Sequence, residues 1–325
     1  MRNIFILISV VVVTLQVLAI ENLKSYKIDS KAITISGISS GAFMANQMSI
    51  AFSKTFSGSA SIAGGIYWCA QGNSQKAQGE CMNSTSTIRP EVQIAQVQKL
   101  AATNEIDPLE NLSKQQLYIY ASPKDGIIKP PASDKLYEFS QKFIPERQIK
   151  YEKTIQSAHG FPTLDQGSSC TLGYLPWILK CNFDGAGEIF KSMYSNLNPR
   201  GAADSRNLIS FNQSEFGPVS TPLFANGWIY VPKTCQQGET CKLHVALHGC
   251  QMNPDFIQDQ FAKNAGYNEW AESNNIIVLY PQSAKLGSTN PYACWDWFGF
   301  TGANYVTKSG AQMKVLKAMI DRIVN

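Results

Sequence analysis

Residues 33–49 read ITISGISSGAFMANQMS, and this stretch decides the fold. Its first residues are β-prone, and the small and apolar residues of Ala42–Phe52 follow at helical spacing. Between them, Gly37, Ser39 and Gly41 form the pattern Gly-x-Ser-x-Gly. A sharp strand-to-helix turn with this pattern holds a serine hydroxyl above the edge of a sheet. The stretch therefore predicts that Ser39 is a nucleophile, against the alternative of an ordinary serine-rich turn.

Strand-like runs alternate with helical patterns along the 325-residue chain, which is 44% hydrophobic and 16% charged. The predicted strands are Ile33–Ser36, Gly58–Ile66, Leu117–Ala121, Trp228–Val231, Leu243–Leu247 and Ile276–Tyr280. The predicted helices are Ala42–Phe52, Pro90–Thr103, Asp134–Phe143, Phe256–Glu272 and Met313–Ile323. This alternation is typical of a single α/β domain with a central, mostly parallel sheet flanked by helices. The segment Asn182–Phe224, rich in Gly, Asn and Ser, is predicted to be an extended surface excursion.

Residues 1–19 have the pattern of a secretory signal peptide, which leaves residues 20–325 as one catalytic domain. Arg2 precedes an apolar run, and Val17 and Ala19 fit the small-residue rule for cleavage. An uncleaved membrane anchor is the alternative. We expect a monomeric protein that is exported to the extracellular space or the periplasm, without stable membrane association after cleavage.

The charge balance argues against a nucleic-acid partner. Cleavage after Ala19 would lower the formal net charge from +4 to +3, because residues 1–19 contain Arg2 and no acidic residue. A net charge of this size is too weak to argue for nucleic-acid binding, and no basic run occurs in the sequence.

Eight cysteines in an exported chain indicate disulfide bonds. Proximity in sequence predicts the pairs Cys69–Cys81, Cys170–Cys181 and Cys235–Cys241, and it leaves Cys250–Cys294 as the fourth pair. Short loops cost little entropy to close, but eight cysteines permit many other pairings. A metal site is the alternative. The chain has no Cys-x-x-Cys and three histidines, so we expect neither a metal nor a cofactor.

A nucleophilic serine needs a histidine base, and the chain offers three candidates. His244 lies inside a predicted strand and is expected to be structural, and His248 ends the same strand. His159 lies in the small-residue loop Ser157–Pro162, which suits a catalytic base. We therefore favour His159, against the alternative of an ordinary surface histidine.

The base in turn needs an acid that orients its ring. Asp125 follows the predicted strand Leu117–Ala121, in a turn where Asp-Gly is also ordinary turn chemistry. Asp165 and Asp134 remain alternatives. With Asp125 the order along the chain is Ser, Asp, His, as in α/β-hydrolases.

The order of the motifs indicates a circular permutation. The backbone amide of Ser40, directly after the nucleophile, is one expected oxyanion donor. The second donor usually comes from a His-Gly loop at the end of a strand, and that motif stands here at Leu247–Cys250, some 200 residues after the serine. We interpret this as an α/β-hydrolase whose front strands have moved to the C-terminal end, which is tolerated when the termini lie close together.

Several segments resemble the esterase family that includes poly(3-hydroxybutyrate) depolymerases. They are GISSGA (residues 37–42), HGCQMNP (248–254), YNEWAE (267–272), VLYPQ (278–282) and CWDWF (294–298). Their order resembles that of the circularly permuted, single-domain members of fungal type.

The resemblance implies a role for individual residues. Ser39 would be the nucleophile, Asp125 the acid and His159 the base. The amides of Ser40 and Cys250 would bind the oxyanion. Trp297 and Trp295 would lie near the polymer-binding crevice, with Trp297 the better candidate for substrate contact; from the residues alone, both tryptophans could equally be core.

Three functions follow from these observations. The first is a secreted depolymerase that cuts poly(3-hydroxybutyrate)-type polyester through an acyl-enzyme. The second is a carboxylesterase or lipase acting on soluble or lipid esters. The third is a binding protein that has kept the fold without the chemistry, and the complete set of candidate residues argues against it.

Overall fold

An eight-stranded sheet forms the centre of the protein. The computed structural model describes residues 20–325, and the predicted signal peptide lies outside the described residues. The strands in chain order are β1 (Ile28–Ile38), β2 (Gly58–Ile62), β3 (Gln116–Tyr120), β4 (Ile149–Glu152), β5 (Phe161–Thr163), β6 (Ser168–Ser169), β7 (Ile178–Lys180), β8 (Leu208–Asn212), β9 (Asn226–Tyr230), β10 (Cys241–Leu247) and β11 (Ile276–Tyr280). The central sheet has the order β4-β3-β2-β1-β10-β11-β9-β8, and a small second sheet has the order β5-β7-β6.

The helices cover both faces of the central sheet. They are α1 (Ser40–Ala51), α2 (Ser74–Lys76), α3 (Pro90–Ala102), α4 (Pro131–Ser140), α5 (Gly185–Met193), α6 (Lys233–Gln236), α7 (Pro254–Ile257), α8 (Gln260–Asn264), α9 (Tyr267–Asn274) and α10 (Ala311–Val324). Successive residues of a strand point to opposite faces, so Leu117 and Ile119 of β3 join one buried cluster while Tyr118 and Tyr120 join the other. The first cluster packs under α1, α3 and α10, and the second under α5, α8 and α9.

The sheet has the circularly permuted α/β-hydrolase order that the sequence predicts. β1 lies between β2 and β10 and is parallel to both. Thr34 of β1 contacts His244 of β10 although 210 positions separate them. The two ends of the described chain also lie side by side, because the Tyr26 amide donates a hydrogen bond of 2.8 Å to the Ile323 carbonyl. This closeness is the physical condition for a permutation.

Two predicted segments differ from the structure. The expected surface excursion Asn182–Phe224 contains α5, which packs on the sheet, and β8, which forms its edge. The edge position explains the weak pattern, since Phe211 is the one fully buried residue of β8. The single helix predicted over Phe256–Glu272 is three short helices, because Gln258 and Gly266 have positive φ angles of +55° and +86° that interrupt it.

Other predicted strands and helices lie within a few residues of the observed ones. The predicted strand Gly58–Ile66 ends at Ile62, where Ala63 turns the chain with φ +49°. Within residues 20–325, no helix has both the length and the apolar composition needed to cross a bilayer.

The first turn of α1 lies directly against the end of β10. A Cβ atom on Gly41 would stand 2.3 Å from the His248 carbonyl oxygen and 2.5 Å from that of Leu247. Glycine is therefore required for this approach, because the atoms in the way belong to the backbone and cannot rotate aside.

Gly41→Ala should lower the free energy of unfolding by roughly 1–3 kcal/mol or more, the usual cost of overpacking a core. Gly79→Ala is the matched control, because a Cβ there would meet no atom within 4 Å. Denaturant unfolding of both variants tests the contact. Equal stability of the two variants would contradict it.

Candidate active site

Ser39 sits on a strained turn between β1 and α1. Its backbone has φ +56° and ψ −123°, a conformation that residues with a side chain rarely adopt. The Ser39 amide donates to the Ile62 carbonyl at 2.9 Å, which fixes the turn to β2. A Cβ on Gly37 would lie 2.2 Å from the Gly41 carbonyl oxygen, so the turn can be this sharp only with glycine there. The side chain of Ser39 is 9% exposed and lines a cleft.

His159 and Asp125 form a buried hydrogen-bonded pair. The distance from His159 Nδ1 to Asp125 Oδ2 is 2.8 Å. The other carboxylate oxygen, Oδ1, accepts hydrogen bonds from the amides of Ile127 and Ile128 at 2.8 and 2.9 Å. Since an ionised carboxylate can only accept, the hydrogen lies on Nδ1 and Nε2 of the neutral ring is left with a free lone pair.

The cleft brings Ser39 and His159 together. It has a volume of about 860 Å³, and its wall includes both side chains as well as Ser40, Cys250 and Trp297. Asp125 is not part of the cleft wall, and its connection to the cleft is the hydrogen bond to His159. The rings of Trp177 and His159 pack edge to face, with 5.9 Å between their centroids. The predicted serine, histidine and aspartate thus occupy one site, although they come from three separate loops.

The loop after β10 forms another part of the cleft wall. A Cβ on Gly249 would lie 3.2 Å from Ser39 Cβ, so this loop passes directly beside the serine. Cys250 is disulfide-bonded to Cys294, and the Gln251 amide donates to the Tyr292 carbonyl at 2.7 Å. The amide of Ser40 is the first N–H of α1, and a helix leaves its first N–H groups without an intrahelical partner.

The two predicted substrate-contacting tryptophans have different surroundings. Trp297 lines the cleft and stacks on Phe43 at 4.3 Å between centroids. Trp295 is fully buried and is not part of the cleft wall. The expectation of substrate contact is corrected for Trp295, whose side chain packs beside His248 in the core.

The sequence did not point to several residues of the cleft wall. These residues include Trp177, Tyr292 and Phe298. Phe298 directly follows Trp297 in the sequence. Phe298 could have been found, because it belongs to the same CWDWF motif. Trp177 comes from the loop between β6 and β7, and no local pattern there indicates its contact with His159.

The remaining two histidines are neutral and buried. Burial lowers the pKa of His244 to about 3 and that of His248 to about 4. His244 bonds the hydroxyls of Thr34 and Ser36, both at 2.7 Å, as expected for a structural residue.

All four predicted disulfides are confirmed. They are Cys69–Cys81, Cys170–Cys181, Cys235–Cys241 and Cys250–Cys294. In the part of the chain that the structure describes, no three or more His, Cys, Asp or Glu side chains are grouped as a metal ion would need.

Known proteins resemble this chain in sequence. A family model described as "Esterase PHB depolymerase" matches residues 227–323. The poly(3-hydroxybutyrate) depolymerase of Delftia acidovorans is 42% identical over 310 residues, which cover 94% of this chain and 62% of that protein. The chain thus spans less than two thirds of the Delftia protein. The polyhydroxybutyrate depolymerase of Talaromyces funiculosus is 33% identical over 322 residues, which cover 93% of this chain and 92% of that protein.

Solved structures resemble the chain over nearly its whole length. The crystal structure of PHB depolymerase from Penicillium funiculosum superposes with a TM-score of 0.85 at 32% identity, covering 93% of this chain and 98% of that chain. A PHB depolymerase variant complexed with an R3HB trimer superposes with a TM-score of 0.86 at 32% identity and the same coverage.

Removing the Cys250–Cys294 bond by a double substitution to serine should lower the free energy of unfolding by roughly 4 kcal/mol at most, from loop-closure entropy. The sequence separation of this bond is 44 residues, against 6 for Cys235–Cys241. The matched double variant at Cys235 and Cys241 should therefore lose less, about 2 kcal/mol. Denaturant unfolding measures both, and a larger loss for the shorter loop would contradict the expectation.

Proposed function

Because the chain belongs to the family of PHB depolymerases and related esterases, we propose that it is a secreted serine esterase that hydrolyses poly(3-hydroxybutyrate)-type polyester. The observation that carries the proposal is the buried Asp125–His159 pair at a cleft that Ser39 also lines. A hydrogen-bonded acid and base next to a serine on a strained turn is the arrangement that activates a hydroxyl nucleophile.

Ser39 starts the reaction by attacking the carbonyl carbon of the ester. His159 Nε2 takes the hydroxyl proton as the Ser39 Oγ–carbon bond forms, and Asp125 stabilises the resulting imidazolium through Nδ1. The tetrahedral intermediate collapses, the ester C–O bond breaks, and His159 returns the proton to the departing alkoxide. Water then attacks the acyl carbon while His159 takes a proton from it. The bond to Ser39 Oγ breaks, His159 returns the proton to Ser39, and the carboxylic acid product leaves.

The oxyanion of the intermediate needs hydrogen-bond donors that are already in place. The amides of Ser40 and Cys250 suit this role. The Ser40 amide lies at the N-terminus of α1, where the helix dipole favours negative charge. Cys250 belongs to the loop that passes beside Ser39 and lines the cleft.

An apolar surface beside the cleft supports an insoluble polyester as the substrate. The loop closed by Cys170–Cys181 exposes Leu172, Tyr174 and Leu175 with 47%, 53% and 40% of their surface accessible. The same loop carries Trp177 into the cleft wall. Tyr292, which lines another part of the cleft wall, is 54% exposed. Exposed apolar groups clustered at a site usually mark a binding surface.

The disulfides support export of the protein. All eight cysteines are paired, and structural disulfides form and persist in oxidising compartments such as the extracellular space or the periplasm. The predicted signal peptide over residues 1–19 agrees with this location.

Ser39→Ala should lower kcat on a p-nitrophenyl ester by a factor on the order of 10⁶, because the acyl-enzyme can no longer form. Ser40→Ala is the matched control. It keeps the backbone amide and loses only a side chain that accepts a 3.3 Å hydrogen bond from the Trp295 amide. We expect that control to retain activity within about tenfold. A Ser39→Ala enzyme as active as the control would exclude Ser39 as the nucleophile.

Clearing of a poly(3-hydroxybutyrate) suspension separates the polyester proposal from a carboxylesterase or lipase. The double variant Tyr174→Ser, Leu175→Ser should clear the suspension more slowly and keep its rate on a soluble ester, because it alters only the apolar surface. The control Val219→Ser changes a fully exposed residue that is not part of the cleft wall. A wild-type enzyme that hydrolyses the soluble ester and leaves the polymer intact would establish the alternative function.

A further inference from the structure

His248 is buried beside the site and has no part in the mechanism above. Its ring nitrogens both have partners. Nε2 accepts a hydrogen bond from the Ser283 backbone amide at 3.1 Å, and it also lies 3.3 Å from Ser283 Oγ, whose hydrogen is donated to the Ala293 carbonyl. Nδ1 lies 2.6 Å from the carbonyl oxygen of Gly249. The ring is completely inaccessible to solvent. A histidine in this position can act only through the groups that it contacts.

The contacts of His248 fix its tautomer. A backbone amide can only donate, so the Ser283 N–H requires a lone pair on Nε2. The hydrogen of the neutral ring must then lie on Nδ1, where it faces a carbonyl that can only accept. Burial lowers the pKa of His248 to about 4, so the ring stays neutral in the pH range where the enzyme would work.

The bond to Gly249 determines the direction of the next amide. The C=O of Gly249 and the N–H of Cys250 belong to one planar trans peptide and point in opposite directions. His248 is buried and bonds that C=O, so the N–H of Cys250 points away from the His248 ring, and Cys250 itself lines the cleft. Among residues 20–325, no group accepts a hydrogen bond from the Cys250 amide.

We infer that His248, as the Nδ1–H tautomer, is a positioning residue that orients the Cys250 amide for the oxyanion. The inference rests on the proposed esterase function. Three further restraints hold the same segment: the disulfide of Cys250, the hydrogen bond from the Gln251 amide to the Tyr292 carbonyl, and the bond from the Gly249 amide to Met252 Sδ at 3.2 Å. None of the three bonds the Gly249 carbonyl or the Cys250 amide, and His248 is the side chain that bonds this peptide directly.

The test compares substitutions at two buried histidines of the same strand region. His248→Leu removes the donor to Gly249, and His248→Asn places a side-chain N–H where it can reach the same carbonyl. His244→Leu is the control, because His244 is equally inaccessible and hydrogen-bonded but contacts β1. Steady-state kinetics on p-nitrophenyl butyrate are measured well below the lowest thermal midpoint of the set.

His248→Leu should lower kcat by about 10²–10³, the usual effect of losing an oxyanion donor. KM should change by less than about threefold, because the donor acts on the transition state. His248→Asn should recover at least about tenfold of the lost kcat. His244→Leu should lower the thermal midpoint and leave kcat within about threefold of wild type.

Several outcomes would overturn the inference. A wild-type kcat in His248→Leu, no recovery in His248→Asn, or an equal loss of kcat in His244→Leu would each do so. A long-range ¹H–¹⁵N spectrum of the ring-labelled wild-type protein covers the case in which His248→Leu does not fold. The Nδ1–H tautomer is expected, and the Nε2–H tautomer would exclude the role. The esterase activity of the wild-type protein is measured first. Its absence would overturn the proposed function, whereas the comparison of variants tests only the role of His248.

Discussion

The close contact between the first turn of α1 and the end of β10 is the constraint on which the site depends. At Gly41 the helix comes within reach of the carbonyl groups of Leu247 and His248, with no side chain between them. The contact is possible only because residue 41 is a glycine. It places Ser39, the Ser40 amide and the loop of Gly249 in one small region. The strained backbone of Ser39 persists because these neighbours restrain it from both sides.

Covalent bonds hold the loops around this region. Three of the four disulfides, Cys69–Cys81, Cys170–Cys181 and Cys250–Cys294, close loops that contribute to the cleft wall. The fourth, Cys235–Cys241, links α6 to β10 on another part of the molecule. Loops that carry a site are usually the mobile part of a fold. Here the disulfides limit the motion where the cleft needs a fixed shape.

The local signals in the sequence were strong where one residue type is obligatory. Gly37 and Gly41 predict the turn because no other residue fits there. Strand β11 is clear from its continuous apolar run, and β10 from a mostly apolar run that His244 interrupts. The pair His159 and Asp125 could be proposed from loop context, but only the fold shows that they touch. The role of Trp177 could not be predicted from the sequence, because its contact with His159 depends on the path of the loop between β6 and β7. Trp295 and Trp297 stand two positions apart with the same local pattern, so only packing separates the core residue from the cleft residue.

The long interval between β1 and β10 has a consequence for the order in which the enzyme becomes active. The ribosome makes β1, which ends at the serine turn, before β10, and the paired residues Thr34 and His244 are separated by 210 positions. Pairing over such a distance is slow, because a large loop must close before any contact is gained. A nascent chain therefore contains Ser39 before the loop that lies beside it has been made. This order keeps the cleft around Ser39 incomplete until β10 and the loop after it have been made and the Cys250–Cys294 bond can form.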